Sequence, residues 1–158
     1  MGSYKFISVA MTVFNGEEYL EDQITSILEQ TLKPTEIVIC NDASEDKSIE
    51  ILDKFSKKYK EIKVINNKKN QGVVASFEIA LKNLNSKTDY IFLSDHDDIW
   101  LENKIEKMIK NSSGCSSTIS DLKVVNSDLK IINNSFFKYS GFNNKKELNF
   151  INILIKNP

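Results

Sequence analysis

Apolar and polar positions fall along this chain in blocks that read as strand, turn and helix in regular succession. Phe6 to Phe14 is almost continuously apolar and rich in β-formers, the pattern of a strand covered on both faces. Asn15-Gly16 breaks the run, and Leu20, Ile24, Ile27 and Leu28 then recur at the spacing of one helix face. Pro34 stops that helix, and Glu36 to Cys40 predicts a second strand. Ser44 and Asp46 are the expected caps of a second helix, whose apolar stripe is Ile49, Leu52, Phe55 and Tyr59. Lys63 to Ile65 predicts a short third strand, and Asn66 to Gln71 a polar loop. Val74, Phe77, Leu81 and Leu84 mark a third helix, Tyr90 to Leu93 a fourth strand, and another helix is expected from near Leu101. This repeated strand–helix alternation predicts an α/β fold: a parallel sheet with helices on both faces.

Beyond Asn111 the pattern changes. Short β-like pieces at Thr118-Ile119, Lys123 to Val125 and Lys130 to Ile132 are separated by Ser, Asn and Asp turns. A polar loop carrying Phe136, Phe137, Tyr139 and Phe142 follows, then an apolar stretch from Leu148 to Ile155. Neither a linker composition nor an internal repeat intervenes. A single domain over 1–158 is expected, with its α/β core at 5–111.

Composition narrows the function classes. The 158 residues suffice for one domain with a proper core, and 41% apolar with 27% charged residues describes an ordinary globular chain. A net charge of −1 without a basic block argues against nucleic-acid binding. All 21 basic residues are lysines. Phosphate recognition must therefore use Lys, backbone N–H groups, a helix N-terminus or a metal, never a guanidinium fork. Cys40 and Cys115 lack zinc or disulfide spacing, which fits a reducing, cytoplasmic setting. No stretch approaches a membrane span, and the start lacks a signal-peptide pattern.

In an open α/β sheet, ligands bind beyond the carboxyl ends of the strands. Polar residues collect there: Asn15-Gly16, Asn41-Asp42, Asn70 with Gly72, and the run Asp95-His96-Asp97-Asp98 after the fourth strand. Carboxylates that close raise one another's pKa unless a cation neutralises them, and hard oxygen ligands suit Mg²⁺ or Mn²⁺. The competing reading is a solvated acidic turn, with Asp98 favouring the start of the next helix. A dinucleotide site would need GxGxxG and a P-loop GxxxxGK[ST]; neither occurs.

These segments carry a resemblance. Val9 to Leu20 resembles the opening strand and turn of GT-A fold family 2 glycosyltransferases. Ile37 to Asp46 resembles their second strand and the acidic turn usually written DDGSxD. Asn70 to Val74 with Phe77-Glu78 is similar to their third motif, and Phe92 to Trp100 to their metal-binding DxD segment. Ser94 before the acidic run and Ile99-Trp100 after it are most like the rhamnosyltransferase-type branch. The resemblance covers nearly the whole chain, most strongly Phe6 to Lys110.

The resemblance implies a GT-A (nucleotide-diphospho-sugar transferase) fold with a Rossmann-like, mainly parallel sheet. It puts Asp42 on the nucleobase, with Thr12 and Phe14 beside it. Asn15, Asn70, Gly72 and Asp95 complete the nucleotide-sugar site, and Asp97 with Asp95 holds Mg²⁺ or Mn²⁺. It implies an inverting transfer from a UDP- or dTDP-linked donor to a saccharide or lipid-linked acceptor in surface polysaccharide assembly. Peripheral association with the inner face of the plasma membrane and self-association are further expectations. Each residue also has a purely structural reading. Asp42 would cap a turn, Thr12 and Phe14 fill the core, and Asn70 and Gly72 shape a tight loop. His96 would be a spacer, Trp100 core packing at a helix start, and both cysteines small apolar residues.

Departures from the family pattern are specific. Asn41 stands for the first acid of the usual pair, Ala43 for its glycine, and Ala75-Ser76 where a basic residue is common. By the resemblance, the catalytic base lies well downstream of the DxD, at a position beyond Pro158. A chain truncated before its base is therefore expected, with Asp121 a weak substitute. Two alternatives remain: a nucleotide-sugar-binding fragment without turnover, and a nucleotidyltransferase. The latter expects a glycine-rich basic loop after the first strand, where Asn15-Gly16-Glu17-Glu18 is acidic.

Overall fold

A computed structural model gives the structure of the protein and describes residues 5–112 and 114–141. The chain forms two compact units that meet in sequence at residues 113 and 114. In the first unit, strands β1 (Ile7–Val13), β2 (Glu36–Asn41), β3 (Ile62–Asn66) and β4 (Tyr90–Ser94) alternate with helices. The helices are α1 (Leu20–Leu28), α2 (Ser48–Lys58), α3 (Val73–Lys82) and α4 (Lys104–Asn111). The strands pair in parallel in the order β3-β2-β1-β4, so β1 is central, flanked by β2 from Ser8↔Glu36 and by β4 from Ile7↔Tyr90. Each strand predicted within this first unit is present, longer or shorter by a residue at its ends.

The two faces of the sheet differ in residue size. Ile7, Val9, Met11 and Val13 alternate onto one face, where Leu20, Ile24 and Ile27 of α1 and Leu52 and Phe55 of α2 pack with Ile37 and Ile39. Each such side chain gains roughly 1.5–3 kcal/mol from burial. The opposite face carries Ala10, Val38 and Cys40 against Ala80 of α3. Small residues there let α3 approach the sheet closely, leaving only Ser76 and Ala80 fully buried on it.

Two helix faces differ from the predicted ones. In α2 the buried row is Ser48, Leu52 and Phe55, while Ile49 is exposed, because a buried polar Ser48 takes the position a periodicity reading gives to an apolar residue. In α3, Val74 is 75% exposed and Leu81 is exposed, while Ser76 and Ala80 face the sheet. Periodicity points to the largest apolar side chains, whereas close packing on the sheet takes the smallest. The fourth helix starts at Lys104, not Leu101, so Trp100 is core but lies before the helix, tilted on Phe92 with ring centroids 5.9 Å apart.

The second unit holds an antiparallel pair, β5 (Val124–Val125) with β6 (Ile131–Asn133), and a single turn of helix, α5 (Phe136–Tyr139). Thr118-Ile119 is not a strand, and the expected loop at Phe136 is helical, capped by Ser135 Oγ, which accepts from the Lys138 N–H at 3.2 Å. The apolar stretch Leu148 to Ile155 and its predicted self-association lie outside the described residues. So does Pro158, and with it the expected position of a base farther downstream. No helix among the described residues is long and apolar enough to cross a membrane.

Candidate functional site

The loops after β1 and β2 are laced together before any ligand is considered. Asn15 stands in the left-handed region at φ 50°, its N–H donates to Ser44 Oγ at 3.0 Å, and its Oδ1 accepts from the Glu45 N–H at 2.9 Å. The Gly16 N–H donates to Ser48 Oγ at 2.9 Å. Asp46 accepts from the Glu17 N–H at 2.8 Å and from the Ser48 N–H at 2.9 Å, so it supports the first turn of α2 as expected of a cap. Ser44 does not cap that helix: it joins Asn15 to Asn41, whose Oδ1 accepts the Ser44 hydroxyl at 2.6 Å. The Asn41 amide donates in turn to Asn66 Oδ1 at 2.9 Å, combining donor and acceptor roles in one side chain. Ala43, where the family pattern has glycine, sits at φ 60°.

Asp42 follows directly on β2 and is almost fully buried. Its Oδ1 accepts from Asn67 Nδ2 at 2.7 Å and from the Gln71 N–H at 2.9 Å, and its Oδ2 accepts from the Gly72 N–H at 2.8 Å. Burial alone would raise its pKa, but the Asn67 amide, the two backbone N–H groups and the Ser76 hydroxyl together hold it below the ordinary carboxylate value. Gly72, at φ 86° and ψ 160°, is in a conformation that glycine tolerates and other residues rarely adopt. Asp42 thus clamps the loop that leads into α3. Ionised carboxylate oxygens offer about four lone-pair sites in all. Oδ2, with one donor bound, keeps capacity for a ligand.

The acidic loop after β4 is built differently. The amide of the buried Gln23 on α1 meets Ser94 Oγ at 2.6 Å, fixing the end of the strand. Farther on, the Trp100 N–H donates to Ser26 Oγ at 3.0 Å, and the buried Gln30 bridges the Leu101 carbonyl and the Ile105 N–H. Between these tethers, no hydrogen bond among the described residues reaches a carboxylate of Asp95, Asp97 or Asp98. Asp95 is exposed, but the protein atoms around its carboxylate raise its pKa, Asp97 adds to the rise, and His96 opposes it. The Asp98 pKa is likewise raised by burial, against Lys104 and with the charges of Asp97 and Asp95. Lys104, its Nζ 4.5 Å from the Trp100 ring centroid, has its pKa lowered by burial.

These loops frame a cleft of about 360 Å³ at the carboxyl ends of the strands. It brings together Thr12, Phe14, Asp42, Asn70, Gly72, Asp95 and Asp97. Phe14 is 44% exposed, so its ring is open to the cleft rather than committed to the core. Asn15, expected in this set, does not line the cleft; its side chain ties the two loops instead. Asp121 belongs to the second unit, where its Oδ1 accepts from the Leu122 and Phe137 N–H groups. Ser135 first, then those N–H groups, lower its pKa and weaken it as a base. Cys115 is exposed, not packed.

Ser76, Val73 and His96 also line the cleft and were missed as site residues. Asn67, which orients Asp42, falls within the polar loop expected over Asn66 to Gln71 and carries no sequence motif of its own. It is one amide among several at the end of β3, set apart from Asn66 and Asn70 only by the strand register that brings it beside the buried carboxylate. Among the described residues no group of three or more His, Cys, Asp or Glu side chains converges as a metal site. Asp95 and Asp97 still offer a pair of hard oxygen donors with no neutralising hydrogen bond, a set that fits Mg²⁺ or Mn²⁺ when other oxygens complete the shell.

Sheet order, the acidic loop after β4 and the cleft over the strand ends define a GT-A type α/β domain. The chain belongs to Glycosyl transferase family 2, which matches residues 8–150. It is 36% identical over 110 residues to the putative glycosyltransferase EpsE of Bacillus subtilis, covering 69% of this chain and 39% of that one. It is 34% identical over 115 residues to the dTDP-rhamnosyl transferase RfbG of Shigella flexneri, covering 68% and 40%. The chain spans 33% and 40% of two Haemophilus influenzae glycosyltransferase relatives. Solved structures share the fold. The mannosyltransferase PcManGT of Pyrobaculum calidifontis, in complex with GDP-Man and Mn²⁺, has a TM-score of 0.63 at 17% identity, over 78% of this chain and 36% of that one. The TarS protein of S. aureus with UDP-GlcNAc has 0.60 at 21% identity, over 85% and 42%.

Proposed function

We propose that the cleft binds a nucleotide-diphosphate sugar and serves metal-dependent, inverting glycosyl transfer to a saccharide or lipid-linked acceptor in cell-surface polysaccharide synthesis. The observation that carries the reading is the pairing, in one cleft, of a satisfied carboxylate at Asp42 with unneutralised carboxylates at Asp95 and Asp97. Asp42, with Thr12 and Phe14, holds the base; Asn70 and Gly72 border the ribose. Asp95 and Asp97 hold Mg²⁺ or Mn²⁺, supported by the Mn²⁺ complex of the fold neighbour PcManGT. Such an ion, when bound, neutralises charge on a departing diphosphate. With no arginine in the chain, this neutralisation falls to the metal and to backbone N–H groups.

The chain's own residues act mainly by positioning. The clamped Asp42 turn orients the base, Phe14 covers one side of the cleft, and the acidic loop sets the diphosphate end against it. An acceptor hydroxyl needs a carboxylate to take its proton. Asp121 is a poor candidate because Ser135 first, then the Phe137 and Leu122 N–H groups, lower its basicity. We assign the base to the part of the relatives' length outside the region aligned with this chain, in keeping with a position beyond Pro158. The second reading is donor binding without turnover, favoured by the same engagement of Asp121. A thermal-shift screen of UDP, dTDP, GDP and their sugar conjugates, with Mn²⁺ or EDTA, tests the site. Stabilisation by at least one diphosphate that is larger with Mn²⁺ is expected; no response to any of them overturns the reading.

A further inference from the structure

The acidic loop is tethered at both ends, but the N–H groups of His96, Asp97 and Asp98 make no backbone hydrogen bond among the described residues. What meets the loop in between is Gly16. A Cβ on Gly16 would lie 2.3 Å from His96 Cδ2 and 3.0 Å from His96 Cγ, far inside contact distance. The requirement is for space and not for backbone freedom, since Gly16 has no positive φ. Gly16 is itself tied into the fold: it is buried, its N–H is bonded to Ser48 on α2, and its carbonyl accepts the N–H groups of Tyr19 and Leu20 at 3.0 Å. The imidazole therefore rests on a backbone surface fixed by two helices.

We infer that Gly16 and His96 are a matched pair of positioning residues, and that the β1–α1 turn sets where the Asp95–Asp97 loop lies over the cleft. His96 acts by shape, as a wedge seated on a glycine, and holds a loop that hydrogen bonds leave free. The nucleotide arm of the test rests on the donor-binding reading; the stability arm does not.

The test is a double-mutant cycle over wild type, Gly16→Ala, His96→Ala and the double variant, read by melting temperature and by calorimetric UDP affinity in Mn²⁺ and in EDTA. Gly16→Ala is expected to lower the melting temperature and to weaken the Mn²⁺-dependent gain in affinity on the order of tenfold, the scale of losing a residue that orients a metal ligand. Removing the ring in the double variant should return both toward the His96→Ala values, because the added methyl then meets nothing. If Gly16→Ala fails to fold, recovery of folding in the double variant supports the pair equally. Losses that simply add, a double variant as unfolded as Gly16→Ala, or a Gly16→Ala protein like wild type would each overturn the inference. Absence of Mn²⁺-dependent UDP binding in wild type would sink the donor reading, leaving the pair to be judged by the melting temperatures.

Discussion

Asp42 and Asp95 each stand one residue beyond a parallel strand, on the same edge of one sheet, yet their carboxylates live in opposite surroundings. Asp42 accepts from Asn67, Gln71 and Gly72 and is stabilised as an anion. Asp95 has no donor among the described residues and is destabilised as an anion, first by crowding and then by Asp97. The difference lies in what the following chain does. After β2 the neighbouring strand β3 leads into a loop that folds back with its N–H groups aimed at the carboxylate. After β4 the hydrogen bonds that tether the chain come from side chains of α1 at the two ends of the loop, and none reaches its carboxylates. One acid is therefore part of the scaffold, and the other is left to be completed by something from outside.

The largest effect should come from the incomplete acid pair. A ligand at a hundredfold excess over Kd stabilises a protein by about 2.7 kcal/mol. In Asp97→Asn the Mn²⁺-dependent part of the UDP-induced melting shift should vanish while the ligand-free melting temperature is kept. An unchanged metal increment would remove Asp97 from the site. Next comes Asp42→Ala, which leaves buried donors unpaired at a cost of about 1–3 kcal/mol. Urea unfolding should register that loss, and UDP affinity in EDTA should fall as well; stability lost with affinity intact would make Asp42 a scaffold residue alone. A carboxylate with a lowered folded pKa contributes stability above its unfolded pKa, about 3.9, and loses it as pH falls through the folded value. The deficit of Asp42→Ala should therefore shrink in acid.

Asp95→Asn should act with the opposite sign. A raised folded pKa means the folded state binds more protons between the unfolded and folded values, so stability falls as pH rises through that window. Without metal, Asp95→Asn should melt above wild type at pH 7 and lose this advantage below about pH 4, where both states are protonated. A variant that melts lower at pH 7 would show that the crowding is not felt as strain. The smallest effect is at Ala43. Its left-handed backbone costs roughly 1–2 kcal/mol relative to ordinary conformations, partly offset by the greater unfolded entropy of glycine, about 0.4–1 kcal/mol. Ala43→Gly should raise stability by about 0.5 kcal/mol without changing UDP affinity, and a loss of stability would contradict the turn geometry.

Much of the comparison was visible in residue order. The apolar runs at Phe6 to Phe14 and Glu36 to Cys40 are strands because continuous β-formers covered on both faces have few other solutions, whereas Tyr90 to Leu93 forms a strand with only one face covered, Ile91 and Leu93 being exposed. Polar residues at their ends had to collect along one edge once the strands were parallel, and that brought Thr12, Phe14, Asp42, Asn70, Gly72, Asp95 and Asp97 to one cleft. Periodicity was less reliable wherever close packing favours small side chains. Ser48 and Ser76 are buried where larger apolar neighbours, Ile49 and Val74, are exposed. Helix faces are chosen by the space available against the sheet as well as by hydrophobicity.

By itself the sequence determined the strand–helix alternation, the parallel sheet and the edge on which acids and small polar residues gather, because these follow from local periodicity and from the covering of both sheet faces. Only the tertiary structure decided the state of each acid. Asn67 lies 25 residues beyond Asp42 yet reaches it through strand register, while Gly16 meets His96 from much farther away in sequence. Charge, hydrogen bonding and steric fit act over a few ångströms, and the chain order that separates such partners carries no record of that distance until the sheet has closed it.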